Sequence, residues 1–106
     1  MKTLQSMEQY EQWMQKGKVV FLFSADWCPD CRVIEPFLPE VEEKFDHYQF
    51  VYVDRDEFID LCADLGVFGI PSFIVTEDGK ELGRLVSKER KSQQQIEAFL
   101  ESVSAS

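Results

Sequence analysis

Two cysteines separated by two residues, in the run Ser24-Ala25-Asp26-Trp27-Cys28-Pro29-Asp30-Cys31-Arg32, are the side chains of this chain best suited to chemistry. They follow an apolar, strand-like segment, Val19 to Phe23, and open a helix-like one. A cysteine in the first turn of a helix meets unpaired backbone N–H groups and the positive end of the helix dipole. Its thiolate is therefore expected to form more readily than that of a free thiol. The thiolate is the species that attacks disulfides. Cys28, nearest the helix start and expected to be exposed, reads as the attacking sulfur; Cys31, about one turn on, reads as the sulfur that resolves the mixed disulfide. Zinc binding is the weaker alternative, because Cys62 and His47 are not spaced to complete a tetrahedral set with the pair. No metal or other cofactor is expected.

The elements that must position this pair follow from hydrophobic spacing. Val19-Val20-Phe21-Leu22-Phe23 is a continuous apolar run, the pattern of a central strand covered on both faces. Pro29 suits the first helical turn, and the helix should run through Val33, Ile34, Phe37, Leu38, Val41 and Phe45. Pro36 and Pro39 inside it each remove a backbone bond, so it should bend or end its first segment there. Upstream, Ser6 and Gln9 resemble a capping box ahead of an apolar stripe of Met7, Tyr10, Trp13 and Met14 that stops at Gly17. Lys2 to Gln5 would be a short strand before it.

Phe50 to Val53 reads as a second buried strand, and Phe58, Leu61, Cys62 and Leu65 as the apolar face of a short helix ending at Gly66. This alternation argues for parallel βαβ pairing. After Pro71, the segments Phe73 to Thr76 and Leu82 to Val86 flank a hairpin signal, Asp78-Gly79. Ile96, Phe99, Leu100 and Val103 make a last amphipathic helix, with the small residues from Ser102 to Ser106 expected to fray.

Size and charge narrow the function classes. The 106 residues, 44% hydrophobic, suit one compact domain spanning 1–106. No signal-like or membrane-spanning apolar run is present, and three cysteines are too few for a secreted disulfide framework, so a reducing, cytoplasmic setting is expected. With 11 basic against 20 acidic residues the net charge is -9, which disfavours nucleic acid and anionic membranes as partners. Cys62 reads as a packing thiol, His47 as a solvated loop residue, and Asp54-Arg55-Asp56-Glu57 as surface charges at a helix start.

The WCxxC motif between a buried strand and a proline-kinked helix, followed by Ile70-Pro71-Ser72, a hairpin and a C-terminal helix, resembles the thioredoxin family over essentially the whole chain. The resemblance implies an α/β thioredoxin fold: a central mixed sheet flanked by helices on both faces, Pro71 in the cis form beside the CxxC, and Pro36 as the kinking proline. It implies reduction of protein disulfides by Cys28 and Cys31, with Pro29, Asp30 and Pro71 tuning the redox pair. Trp27 and Ile70 would line the substrate site, the Ile70 backbone pairing with an extended segment. An upstream dithiol or flavin-dependent reductase would restore the dithiol, and the protein would act as a monomer. The alternative is an adaptor or chaperone-like module on the same fold.

Three departures from the family pattern carry expectations of their own. Pro29-Asp30 replaces the usual Gly-Pro, and WCPDC is similar to the motif of a related branch with narrower substrate choice. Asp30 should favour the helix start, yet its carboxylate competes with a Cys28 thiolate. Leu22 stands where the family has a buried aspartate six residues ahead of the first cysteine, and Phe50 where a partner lysine commonly lies. Deprotonation of Cys31 would then rely on water, Asp26 or Asp30, and resolution would be slow. Finally, Ser87 occupies the position of a glycine that flattens the docking surface.

Overall fold

The computed structural model describes residues 1–105. Its elements are strand β1 (Lys2–Thr3), helix α1 (Met7–Met14), β2 (Lys18–Ser24), α2 (Pro29–Ile34), α3 (Leu38–Lys44), β3 (Gln49–Asp54), α4 (Ile59–Leu65), β4 (Ser72–Glu77), β5 (Lys80–Leu85) and α5 (Gln93–Ser104). The strands form one mixed sheet in the order β1-β3-β2-β4-β5. β2 is its centre, parallel to β3 on one side and antiparallel to β4 on the other.

Because side chains alternate across a strand, the apolar run of β2 feeds two cores. Val20 and Leu22 join Ile34, Leu38, Val41, Ile96 and Leu100 beneath α2, α3 and α5; Val19, Phe21 and Phe23 join Tyr10, Leu61 and Cys62 beneath α1 and α4. Helices therefore cover both faces. Cys62 is buried in the second of these clusters, remote in the layering from the first.

Several boundaries differ from expectation. One agrees: the helix starting at Pro29 ends its first segment beside the prolines, with α2 stopping at Ile34, a 3-10 turn over Glu35–Phe37, and α3 beginning at Leu38. Pro36 sits in that turn and Pro39 in the first turn of α3, where a missing N–H costs least. Helix α1 ends at Met14, ahead of Gly17, whose carbonyl instead accepts the N–H of Asp78 at 2.9 Å. Its cap is also shifted: the Ser6 hydroxyl accepts from the Gln9 N–H, but the Gln9 side chain accepts from Gln5. The first strand covers only Lys2–Thr3, and β5 ends before Val86. Asp78 and Gly79 both have positive φ, 52° and 83°, matching the primed hairpin turn that their sequence announced.

The C-terminal residues from Ser102 do not fray where expected. Helix α5 continues through Ser104 because Val103 is buried against β5, and the Ser104 hydroxyl lies 3.0 Å from the Tyr48 hydroxyl. Ser106 lies outside the described residues.

Candidate active site

The site is built where β2 ends. After Ser24 and Ala25, both buried, the chain turns so that the Cys28 N–H donates to the Ala25 carbonyl at 3.2 Å. Cys28 then becomes the N-cap of α2, with Pro29 in the first turn. Its sulfur does what a serine or aspartate oxygen does at other caps, accepting the Cys31 N–H at 3.2 Å. Both are free thiols. Cys31 is wholly buried, one turn behind.

Cys28 is not exposed as expected from its place in the motif: only 5% of its surface is accessible. Ala25, Cys31 and the Ile70 side chain pack around it, and its Sγ lies 3.9 Å from the Ile70 carbonyl. Cys28 lines a groove of about 230 Å³ whose walls include Trp27, Phe68, Gly69 and Ile70.

The loop bearing Ile70 and Pro71 is held against this pair. The Ile70–Pro71 bond is cis, Pro71 is buried, and the Ser72 hydroxyl donates to the Gly69 carbonyl. Gly69 packs so closely on the next loop that an added Cβ would lie 2.3 Å from the Ser87 carbonyl oxygen. Ser87, in turn, is pinned from beneath. Lys91 is 2% exposed, and its ammonium donates to the Ser87 carbonyl at 2.9 Å and the Glu89 carbonyl at 2.7 Å. Burial pushes the Lys91 ammonium pKa down. Charge counting treats lysines as solvated, so nothing in the sequence marked this one.

Trp27 stands out from the surface, with its indole N–H donating to the Asp56 carboxylate at 2.6 Å. That bond, followed by the nearby Arg55 guanidinium, holds the Asp56 carboxyl below the usual carboxylate range. The sequence had grouped Asp56 with surface charges, and only its place in an acidic cluster signalled it. Asp30 pairs with Arg90 at 2.9 Å.

Behind Cys31 lies a cavity of about 240 Å³. Leu22, Ser24, Asp26, Glu35 and Tyr52 line it, and Asp30 does not. Leu22 is the register partner of Tyr52, while Phe50 joins Leu22 in the same apolar cluster. Burial is the main cause that pushes the Cys31 thiol up to about 11; contact with Cys28 adds to it, and the Ser24 hydroxyl and Ala25 backbone oppose it. The Ser24 hydroxyl also opposes the upward push of burial on the Tyr52 phenol. This arrangement offers a groove-lining sulfur with an N–H donor aimed at it and, behind it, a fully buried thiol whose proton is held tightly.

Such a site, on a mixed five-stranded sheet with helices on both faces, defines a dithiol protein of the thioredoxin class. A family model described as Thioredoxin matches residues 2–102. The H-type 1 thioredoxin of Nicotiana tabacum is 35% identical over 94 residues, covering 84% of this chain and 75% of its own length. A mitochondrial thioredoxin of Schizosaccharomyces pombe is 31% identical, covering 84% of this chain and 68% of its own. Among solved structures, thioredoxin from Trypanosoma brucei brucei superposes with a TM-score of 0.85 at 25% identity, over 98% of this chain and 90% of that one. That of Fasciola hepatica gives 0.79 at 26% identity, over 99% and 98%.

The chain belongs to the thioredoxin family. Its role is that of a thiol-disulfide oxidoreductase that reduces protein disulfides. Among the described residues, no helix is long and apolar enough to cross a membrane.

Proposed function

We propose that this chain is a single redox domain in which Cys28 attacks and Cys31 resolves. The Cys28 thiolate attacks one sulfur of a substrate disulfide, forming a mixed disulfide and expelling the other substrate sulfur as a thiolate. The Cys31 thiolate then attacks Cys28 Sγ, expelling the second substrate thiolate. The substrate gains two electrons and the enzyme closes a Cys28–Cys31 disulfide. The observation carrying this order is the asymmetry of the pair: Cys28 lines the groove while Cys31, wholly buried, aims its N–H at the Cys28 sulfur at 3.2 Å.

The proton of Cys31 leaves, on this reading, through the cavity behind it, from the thiol by way of the Ser24 hydroxyl and water to Asp26. Asp26 lines that cavity, whereas Asp30 lies outside it and is occupied by Arg90. Trp27 and Ile70 frame the entering substrate, Pro71 keeps the loop against the sulfurs, and Pro29 and Asp30 adjust the helix start. The protein works as a cytoplasmic monomer with a narrow substrate range, restored by an upstream dithiol or flavin-dependent reductase.

Rapid mixing of reduced protein with a disulfide substrate resolves the two steps. Asp26→Asn and Ser24→Ala are each expected to slow mixed-disulfide breakdown about tenfold or more while sparing the first attack, and Leu22→Asp to speed it. Slowing by Asp30→Asn with none by Asp26→Asn would reverse the assignment. An adaptor would reduce no disulfide at all when supplied with a dithiol.

A further inference from the structure

The groove leading to Cys28 has a charge opposite to that of the chain. On a protein of net charge -9, its walls carry two cations, Arg55 and Lys88, and no carboxylate. Arg55 shares its charge with Asp56 behind the Trp27 wall, at 3.2 Å. Lys88 has no ion-pair partner among the described residues. Nor is its backbone loose: the Lys88 nitrogen abuts Gly69, and the flanking Ser87 and Glu89 carbonyls are both tied down by the buried Lys91 ammonium. A cation set on a fastened strap discriminates better than one on a free loop, because less order is lost on binding.

The apolar part of the surface continues in one direction. Phe68 and Trp27, 75% and 60% exposed, are the most exposed large apolar side chains of the chain. Both flank the groove. Phe68 and Arg55 are also walls of an adjoining groove, which runs past Ile59 and over Cys62. Together these hollows, of about 230 and 110 Å³, suit an extended stretch of polypeptide laid across both.

We propose that this surface selects extended protein segments that carry an acidic residue beside the target cystine, its carboxylate between Lys88 and Arg55, with an apolar residue beyond it over Phe68. It rests on the Cys28-first reduction proposed above and adds the chemistry of the substrate.

Two synthetic peptides with one intramolecular disulfide, differing only in aspartate or lysine beside the cystine, test it with a dithiol as electron donor. The unmodified protein is expected to reduce the acidic peptide about tenfold more efficiently at low salt, with the gap closing as ionic strength approaches about 0.5 M. Lys88→Glu combined with Arg55→Glu should invert the preference, a result that misfolding cannot produce. Equal rates for the two peptides, or a gap indifferent to salt, would overturn the inference using the unmodified protein alone. Glutathione disulfide turned over as fast as the acidic peptide would overturn the choice of a polypeptide occupant. Reduction of neither peptide would sink the oxidoreductase mechanism itself, and this proposal with it.

Discussion

Replacing Cys31 with serine is expected to lower steady-state reduction of a protein disulfide by at least about a thousandfold, because the second step loses its nucleophile. The first step should survive, since Cys28 keeps its place at the groove wall and the residue 31 N–H still points at it. The variant should therefore collect as a covalent adduct with one substrate half, visible by mass spectrometry and released by dithiol. Cys28→Ser should lose turnover equally and form no adduct. Cys62, buried under the floor of the adjoining groove with its thiol pushed up by burial, should capture nothing in either variant. An adduct on Cys31 or Cys62 in otherwise unmodified protein would overturn the order of attack.

Gly69→Ala is the second large effect. The new methyl would lie 2.3 Å from the Ser87 carbonyl oxygen and 2.6 Å from the Lys88 nitrogen, both backbone atoms that no rotamer change can move. The loop carrying Ile70 and Pro71 must separate from the strap above it. A loss of about 1–3 kcal/mol in stability is expected from the overpacking. Displacing the groove wall by an ångström or so should cut kcat/KM by about a hundredfold. Gly17→Ala serves as the comparison, because a Cβ there meets nothing within 4 Å. Denaturant unfolding and turnover measured side by side decide the matter: matching behaviour of the two variants would show that the contact between loops does not matter.

Much of this architecture was legible because local signals and tertiary demands agree. The unbroken apolar run of β2 announced a strand buried on both faces, and Asp78-Gly79 announced the hairpin through its need for positive φ. Errors arose where packing overrode propensity. Ser104 is helical because Val103 is buried, although the small residues around it suggested fraying. At the site, a CxxC between strand and helix revealed the sulfurs but not their accessibility, which depends on Ile70, 42 residues away. Asp56 and Lys91 were hidden as well. Asp56 holds Trp27 from 29 residues away, and Lys91 holds the strap through carbonyls four and two residues back; charge patterning encodes neither the long-range partner nor the burial of the lysine.

The proton held by Cys31 also bears on stability. Its folded-state pKa, raised to about 11 from an ordinary value of 9.0, means that the native reduced protein binds this proton more tightly than the unfolded chain does. That stabilisation is complete below about pH 9 and is lost as the pH climbs through about 11. Denaturation midpoints of the reduced protein should fall across that window, and Cys31→Ala should flatten the decline.

The sealed position of the second sulfur has a further consequence for how the dithiol survives between encounters. Small oxidants reaching Cys28 by its narrow approach would still meet a neighbour unready to close the ring. A docked partner holds the first sulfur in covalent attachment long enough for that readiness to arrive. On the Cys28-first reading proposed above, burial would act as a safety catch, keeping the reducing equivalents from idle discharge into solution and reserving them for proteins that stay.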